Sequence, residues 1–164
     1  MSSSVASLKR ATFWVIARTC FTLYSWFPLF GSLRASIAII QSDGRFLVIQ
    51  RSDGRGLSFP GGIAGRRETE EAAMRREVRE ETGLEVAEAE FRLRYHSTAD
   101  VPADISVFAV KASGEVKESW EGSPRWMPLK EIGPRLLESQ RPVLELLEKM
   151  ADGTATGKSA QPEP

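Results

Sequence analysis

From residue 34 onward the apolar positions come in short runs set apart by turn-forming residues. The run ASIAII (residues 35–40), a Ser42-Asp43-Gly44 turn and RFLVIQR (residues 45–51) together predict a β-hairpin. A second Asp-Gly, at Asp53 and Gly54, opens a loop that leads through LSFPGG into a charged stretch. There Thr69 is placed to cap a helix reaching about Thr82, with Gly83 as its left-handed terminator. Met74 and Val78, four residues apart, give that helix one apolar stripe. Two further strand-like runs follow at residues 86–95 and 105–110, around the polar loop HSTADVPAD. After residues 126–128 a helical tail is expected over residues 129–150, carrying Leu136, Leu137, Val143, Leu144, Leu146 and Leu147. Strands interleaved with two helices predict an α+β domain with a mixed β-sheet covered on both faces.

The first 33 residues are of a different kind. On a helical wheel of roughly 100° per residue, Phe13, Ile16, Cys20, Leu23, Tyr24 and Phe27 share one side, opposite Thr12, Arg18, Thr19, Thr22 and Ser25. Pro28 is the expected stop. A membrane span needs about 20 apolar residues, and Arg18 interrupts this run. Three readings fit the segment: an interfacial membrane anchor or single span, a helix docked on the domain or a partner, and a targeting peptide. The expected organisation is therefore residues 1–33 as a basic, aromatic amphipathic segment with membrane association through residues 11–33, residues 34–150 as the folded domain, and residues 151–164 as a disordered tail.

Composition narrows the function classes. At 164 residues and 41% hydrophobic content the chain holds one domain with a real core. Its formal net charge of +0 gives no ground to expect a nucleic-acid polymer as partner. The lone Cys20 and lone His96 exclude an intramolecular disulfide and the usual four-ligand zinc site, so a reducing, cytoplasmic setting is expected. Nothing in the sequence fixes an oligomeric state.

Residues 61–84 hold six glutamates and five arginines. Helical spacing puts Glu77, Glu80 and Glu81 on one face, where like charges repel unless a cation neutralises them. Oxygen donors suit a hard ion, Mg²⁺ with Mn²⁺ as the alternative. An ordinary salt-bridged surface helix, with pairs such as Glu71–Arg75 and Arg76–Glu80, is the other reading of this spacing alone. The order of letters goes further. Gly62, Glu68, Arg76-Glu77-Val78, Glu80-Glu81, Gly83 and Leu84 spell G-x5-E-x7-R-E-U-x-E-E-x-G-U, U being apolar. In this box, and in its flanking LVIQR, SFPGG and WMPLKEI segments, the sequence resembles the Nudix hydrolase family over residues 36–150.

That resemblance implies an α/β/α sandwich and hydrolysis of a diphosphate linkage in a small molecule, commonly a nucleoside diphosphate derivative. It implies Glu77, Glu80 and Glu81, with the backbone of Gly61, as holders of Mg²⁺. One of these three glutamates, or a glutamate from a later loop, would be the general base, and Glu77, Glu80 and Arg76 are the candidates for the catalytic group. Arg76 and Glu68 would orient the site, and Gly62 would give the backbone close approach. Arg51 and Arg55 are the candidates for gripping the pyrophosphate. Phe59, Tyr95, Phe108, Trp120 and Trp126 are the aromatics available to stack on a base. A non-catalytic nucleotide-binding module on the same fold is the alternative, although such modules usually carry a broken box.

Overall fold

The computed structural model describes residues 33–156. The expectations for the amphipathic segment, with its membrane association through residues 11–33, fall almost wholly outside this range. Among the described residues no helix is long and apolar enough to cross a membrane.

In chain order the elements are β1 (Leu33–Ser42), β2 (Arg45–Arg51), β3 (Leu57–Ser58), β4 (Gly61–Ile63), α1 (Glu70–Thr82), β5 (Glu85–Ser97), β6 (Ala103–Ser113), β7 (Gly122–Met127), the single-turn α2 (Leu129–Ile132) and α3 (Arg141–Thr156). Two 3₁₀ turns, Gly133–Arg135 and Glu138–Gln140, join α2 to α3. The strand order is β3-β2-β1-β6-β5, with β4 also pairing β1 and β7 also pairing β2. Strand β1 runs parallel to β6 from Leu33↔Ala103 to Ile40↔Val110 and antiparallel to β4, so the sheet is mixed.

Strand β1 is apolar on both sides because both sides are covered. Its Ile37 and Ile39 join Ile105, Val107, Phe59 and the Val143, Leu144 and Leu147 stripe of α3. Its Ala38 and Ile40 face the other way, onto Met74 and Val78 of α1 with Phe108 and Val110. The α/β/α layering follows directly, and it fixes α1 against the strand that receives the glycine pair.

The hairpin forms, but it pairs only at Gln41↔Phe46 and Ser42↔Arg45. Asp43 and Gly44, with φ of 49° and 71°, supply the turn. Beyond it β2 diverges to pair with β3 and β7. That divergence opens the space in which the box lies.

Strands β5 and β6 extend past the expected ends, through His96↔Asp104 and Ser97↔Ala103. Polar side chains on an edge strand face solvent without stopping the ladder. The expected continuous helix over residues 129–150 is broken instead. Pro134 and Pro142 lack the N–H that a helix interior needs, and the chain between them is extended at Leu136, with φ −72° and ψ 142°. Leu136 bridges to Leu57 there, and the Leu137 N–H donates to the Leu57 carbonyl at 3.0 Å. Helix α3 runs through Thr156, beyond the boundary expected at residue 150.

Candidate active site

Helix α1 begins and ends as its sequence dictates. The Thr69 hydroxyl accepts the Ala72 N–H at 3.1 Å, and Gly83 closes the helix in the left-handed region with φ 76°. Ala73, Met74 and Val78 are fully buried against β1, which turns Glu77 and Glu81 towards the strand pair β1–β4.

Glu81 is only 5% exposed, and one of its carboxyl oxygens accepts the Gly61 N–H at 2.9 Å. Burial pushes this carboxyl up to about 8, aided by the nearby Glu121 and Glu77 and opposed by the Gly61 hydrogen bond. Glu77 is likewise raised, chiefly by burial, against the pull of Arg76. Glu80, with 55% of its side chain exposed, reaches outward.

Arg76 is the hub of the box. Its Nε and Nη2 donate to the two oxygens of Glu68 at 3.0 and 3.1 Å. Nη1 donates to Glu77 at 2.7 Å and to Glu80 at 3.2 Å, and Nη2 also reaches the Ile63 carbonyl at 3.2 Å. The guanidinium is raised above its ordinary value, first by Glu68 and then by Glu77. Glu68 also accepts the Gly65 N–H at 2.8 Å, tying the loop after β4 to the helix.

The two glycines are explained by what surrounds them. At Gly61, φ is 155°, and a Cβ would come within 3.0 Å of the Ser36 carbonyl and of Ile37 Cα on β1. At Gly62 a Cβ would collide with the Glu77 carboxylate. Gly62 is therefore the space that lets Glu77 lie against the strand.

Glu121 is the residue the sequence left unassigned. The loop between β6 and β7 holds Glu115, Glu118 and Glu121, and no spacing within it says which one turns inward. Glu121 is brought in because its carbonyl accepts the Ser52 N–H at 3.0 Å while the adjoining Gly122 pairs with Arg51. A Cβ at Gly122 would strike the Gln50 carbonyl, so β7 can approach β2 this closely only with glycine there.

Arg51 joins the same neighbourhood. Burial lowers its pKa, but Asp53, Glu81 and Glu121 more than compensate and raise it. Arg55 does not point there: its guanidinium pairs with Asp53 at 2.9 Å and Asp100 at 3.2 Å. Of the five candidate aromatics, Phe59 and Phe108 are core, Trp126 packs on the core, and Tyr95 donates its hydroxyl to the Ser139 carbonyl at 2.8 Å. Trp120, 52% exposed, is the one that faces solvent.

The donor chemistry suits a hard cation. Glu77, Glu80, Glu81 and Glu121 offer oxygen alone, and the Glu81 carboxyl is elevated first by burial and then by the neighbouring Glu121 and Glu77. Among the described residues, no three acidic, histidine or cysteine side chains converge tightly enough to hold an ion as they stand. Arg76 spans Glu77 and Glu80 instead, bonding one oxygen of each.

The NUDIX domain family model matches residues 32–147. A MutT-like protein of Streptomyces ambofaciens is 33% identical over 113 residues, covering 68% of this chain and 73% of its own length. The solution structure of the E. coli ORF135 protein matches with a TM-score of 0.65 at 23% identity, over 82% of this chain and 99% of that one. A MutT NUDIX hydrolase from Burkholderia pseudomallei matches with a TM-score of 0.62 at 24% identity, over 70% and 96% of the two chains. At such identities the structural matches show a common fold.

Proposed function

The chain belongs to the NUDIX family of hydrolases, and from that premise we propose that it cleaves a diphosphate linkage in a nucleoside diphosphate derivative or a nucleotide, with Mg²⁺ as cofactor. Mn²⁺ is the natural substitute. The observation that carries the reading is that Glu77 and Glu81 of α1, in surroundings that disfavour their charge, lie beside Glu121 from the distant β6–β7 loop.

Glu77, Glu80 and Glu81, with the Gly61 backbone, would hold the cation, and Glu121 adds a fourth carboxylate. When bound, the cation supplies charge screening for the diphosphate and lowers the pKa of an attacking water. The chain's own groups do the rest. Arg76 fixes the orientation of Glu77 and Glu80 through hydrogen bonds that leave their other oxygens available. Glu68 holds Arg76 from its opposite edge. Glu77, whose affinity for a proton is raised chiefly by burial, is suited to accept one from water, and Glu80 is the other candidate base. Arg51 presents positive charge to the diphosphate beside these carboxylates. No serine or cysteine nucleophile is needed in such a scheme.

The test is turnover of a panel of nucleoside triphosphates, nucleoside diphosphate sugars and dinucleoside polyphosphates by the full chain, with Mg²⁺, Mn²⁺ or chelator. Cleavage of at least one substrate, only with a divalent ion, is expected. Turnover by Glu80→Gln at the wild-type rate would remove Glu80 from the ligand set.

A further inference from the structure

Arg51 poses a problem. A guanidinium within the field of Glu81 and Glu121 would, left to itself, pair with one of them and fill the space in which a cation and a phosphate must meet. Among the described residues its ion pair is instead with Asp53. The pairing is bidentate along one edge: Nε lies 3.0 and 3.1 Å from the two Asp53 oxygens, and Nη2 lies 2.6 Å from Oδ2. Held along this edge, the guanidinium keeps its Nη1 side for another oxyanion.

Asp53 is itself held. The Arg55 N–H donates to its Oδ1 at 3.1 Å and the Arg55 Nε to its Oδ2 at 2.9 Å. Burial alone would raise the Asp53 carboxyl, but the hydrogen bonds from Arg51 and Arg55 outweigh it and keep the group well below the usual carboxylate range. The far end of Arg55 is anchored: Nη1 donates to Asp100 at 3.2 Å, and Asp100 accepts the Ser139 hydroxyl at 2.6 Å. Ser139 lies in a 3₁₀ turn, and its carbonyl accepts the Tyr95 hydroxyl. One line of alternating charges thus runs from the β5–β6 loop to the carboxylate cluster.

We propose that Asp53 is the positioning residue for Arg51, holding the guanidinium off Glu81 and Glu121 and turned towards the diphosphate. Arg55 is then a brace between Asp53 and the β5–β6 loop, and it does not grip phosphate. This rests on the hydrolase reading above and adds to it a specific division of labour between two arginines alike in sequence.

A double-mutant cycle on the full chain separates the two ideas, read as KM and kcat on the best substrate of the panel. Asp53→Ala is expected to raise KM at least tenfold with kcat changed less than threefold, and to have under a twofold effect on KM once Arg51→Ala is present. Asp53→Asn, which keeps an acceptor but loses the charge, should fall between, and it serves in place of Asp53→Ala if that variant does not fold. Arg55→Ala and Asp100→Asn should each raise KM by a similar, smaller factor, and neither should add to Arg51→Ala. An equal effect of Asp53→Ala in both backgrounds would make Asp53 merely structural and overturn the proposal. So would a loss for Arg55→Ala larger than for Asp100→Asn and additive with Arg51→Ala, since Arg55 would then touch the substrate. Wild-type KM in Arg51→Ala alone would refute Arg51 as a phosphate ligand, and this proposal with it. Absence of turnover across the panel by the wild-type chain would instead sink the hydrolase reading.

Discussion

Replacing Glu81 with glutamine should make the metal-free protein more stable at high pH and the enzyme far slower. Glu81 is 5% exposed, and its carboxyl is raised from 4.5 to about 8, with burial as the first cause. A folded-state value above the unfolded one means that the folded protein binds the proton more tightly. The stability contributed by this group is fully present below about 4.5 and is lost as pH rises through about 8. At about 1.4 kcal/mol per unit the full shift is worth roughly 5 kcal/mol, and relaxation around the buried charge lowers it, so ~2–5 kcal/mol is the range to look for. Glutamine is uncharged at every pH, and its side-chain oxygen can still accept the Gly61 N–H. Urea unfolding in chelator should therefore give nearly equal stabilities for Glu81→Gln and wild type at pH 4.5, and a variant more stable by that amount at pH 9. Turnover with Mg²⁺ should fall by roughly 10²-fold or more, because a buried carboxylate cannot be replaced by an amide as a hard-ion ligand. A variant no more stable than wild type at pH 9 would refute the claim that Glu81 is an unfavourably buried charge.

Other substitutions probe the supporting parts. Gly62→Ala should lower turnover at least tenfold, because the added Cβ displaces the Glu77 carboxylate, while far-ultraviolet dichroism stays close to wild type. Arg76→Lys should cost roughly 10–100-fold in kcat, since an ammonium cannot bond Glu68 in two places and still reach Glu77 and Glu80. Met74→Ala, at a fully buried position between α1 and the sheet, should lower unfolding free energy by ~2–5 kcal/mol in urea titrations. Thr69→Ala should cost about 1 kcal/mol by the same assay through loss of the N-terminal cap.

What could be read from the chain and what could not divide along physical lines. Helix α1 was legible to its caps, because Thr69 and Gly83 determine its ends locally and Met74 and Val78 mark its buried face. The mixed, doubly covered sheet was legible from the interleaving of strands with two helices, and β1, whose residues 37–40 are buried on both sides, agrees with it. The final helical stretch was misjudged because leucine content outweighed Pro134 and Pro142, although these residues force the turns that bring Leu136 onto β3. At the site, helical spacing put Glu77, Glu80 and Glu81 on one face, and the family resemblance added the glycine pair and the orienting role of Arg76, all of them within one helix and its lead-in. Glu121 and the Asp53 clamp on Arg51 were not legible. The first depends on β7 pairing with β2, a contact between segments about seventy residues apart that no local pattern announces, and the second on which side chains meet within a loop of no regular spacing.

The most direct test of the account is kcat of the full chain on its best diphosphate substrate, with saturating Mg²⁺, for wild type, Glu121→Gln and Glu118→Gln. If carboxylates from α1 and the β6–β7 loop work as one site, Glu121→Gln loses roughly 10²-fold or more, while Glu118→Gln stays within twofold of wild type. Wild-type turnover by Glu121→Gln would contradict the account.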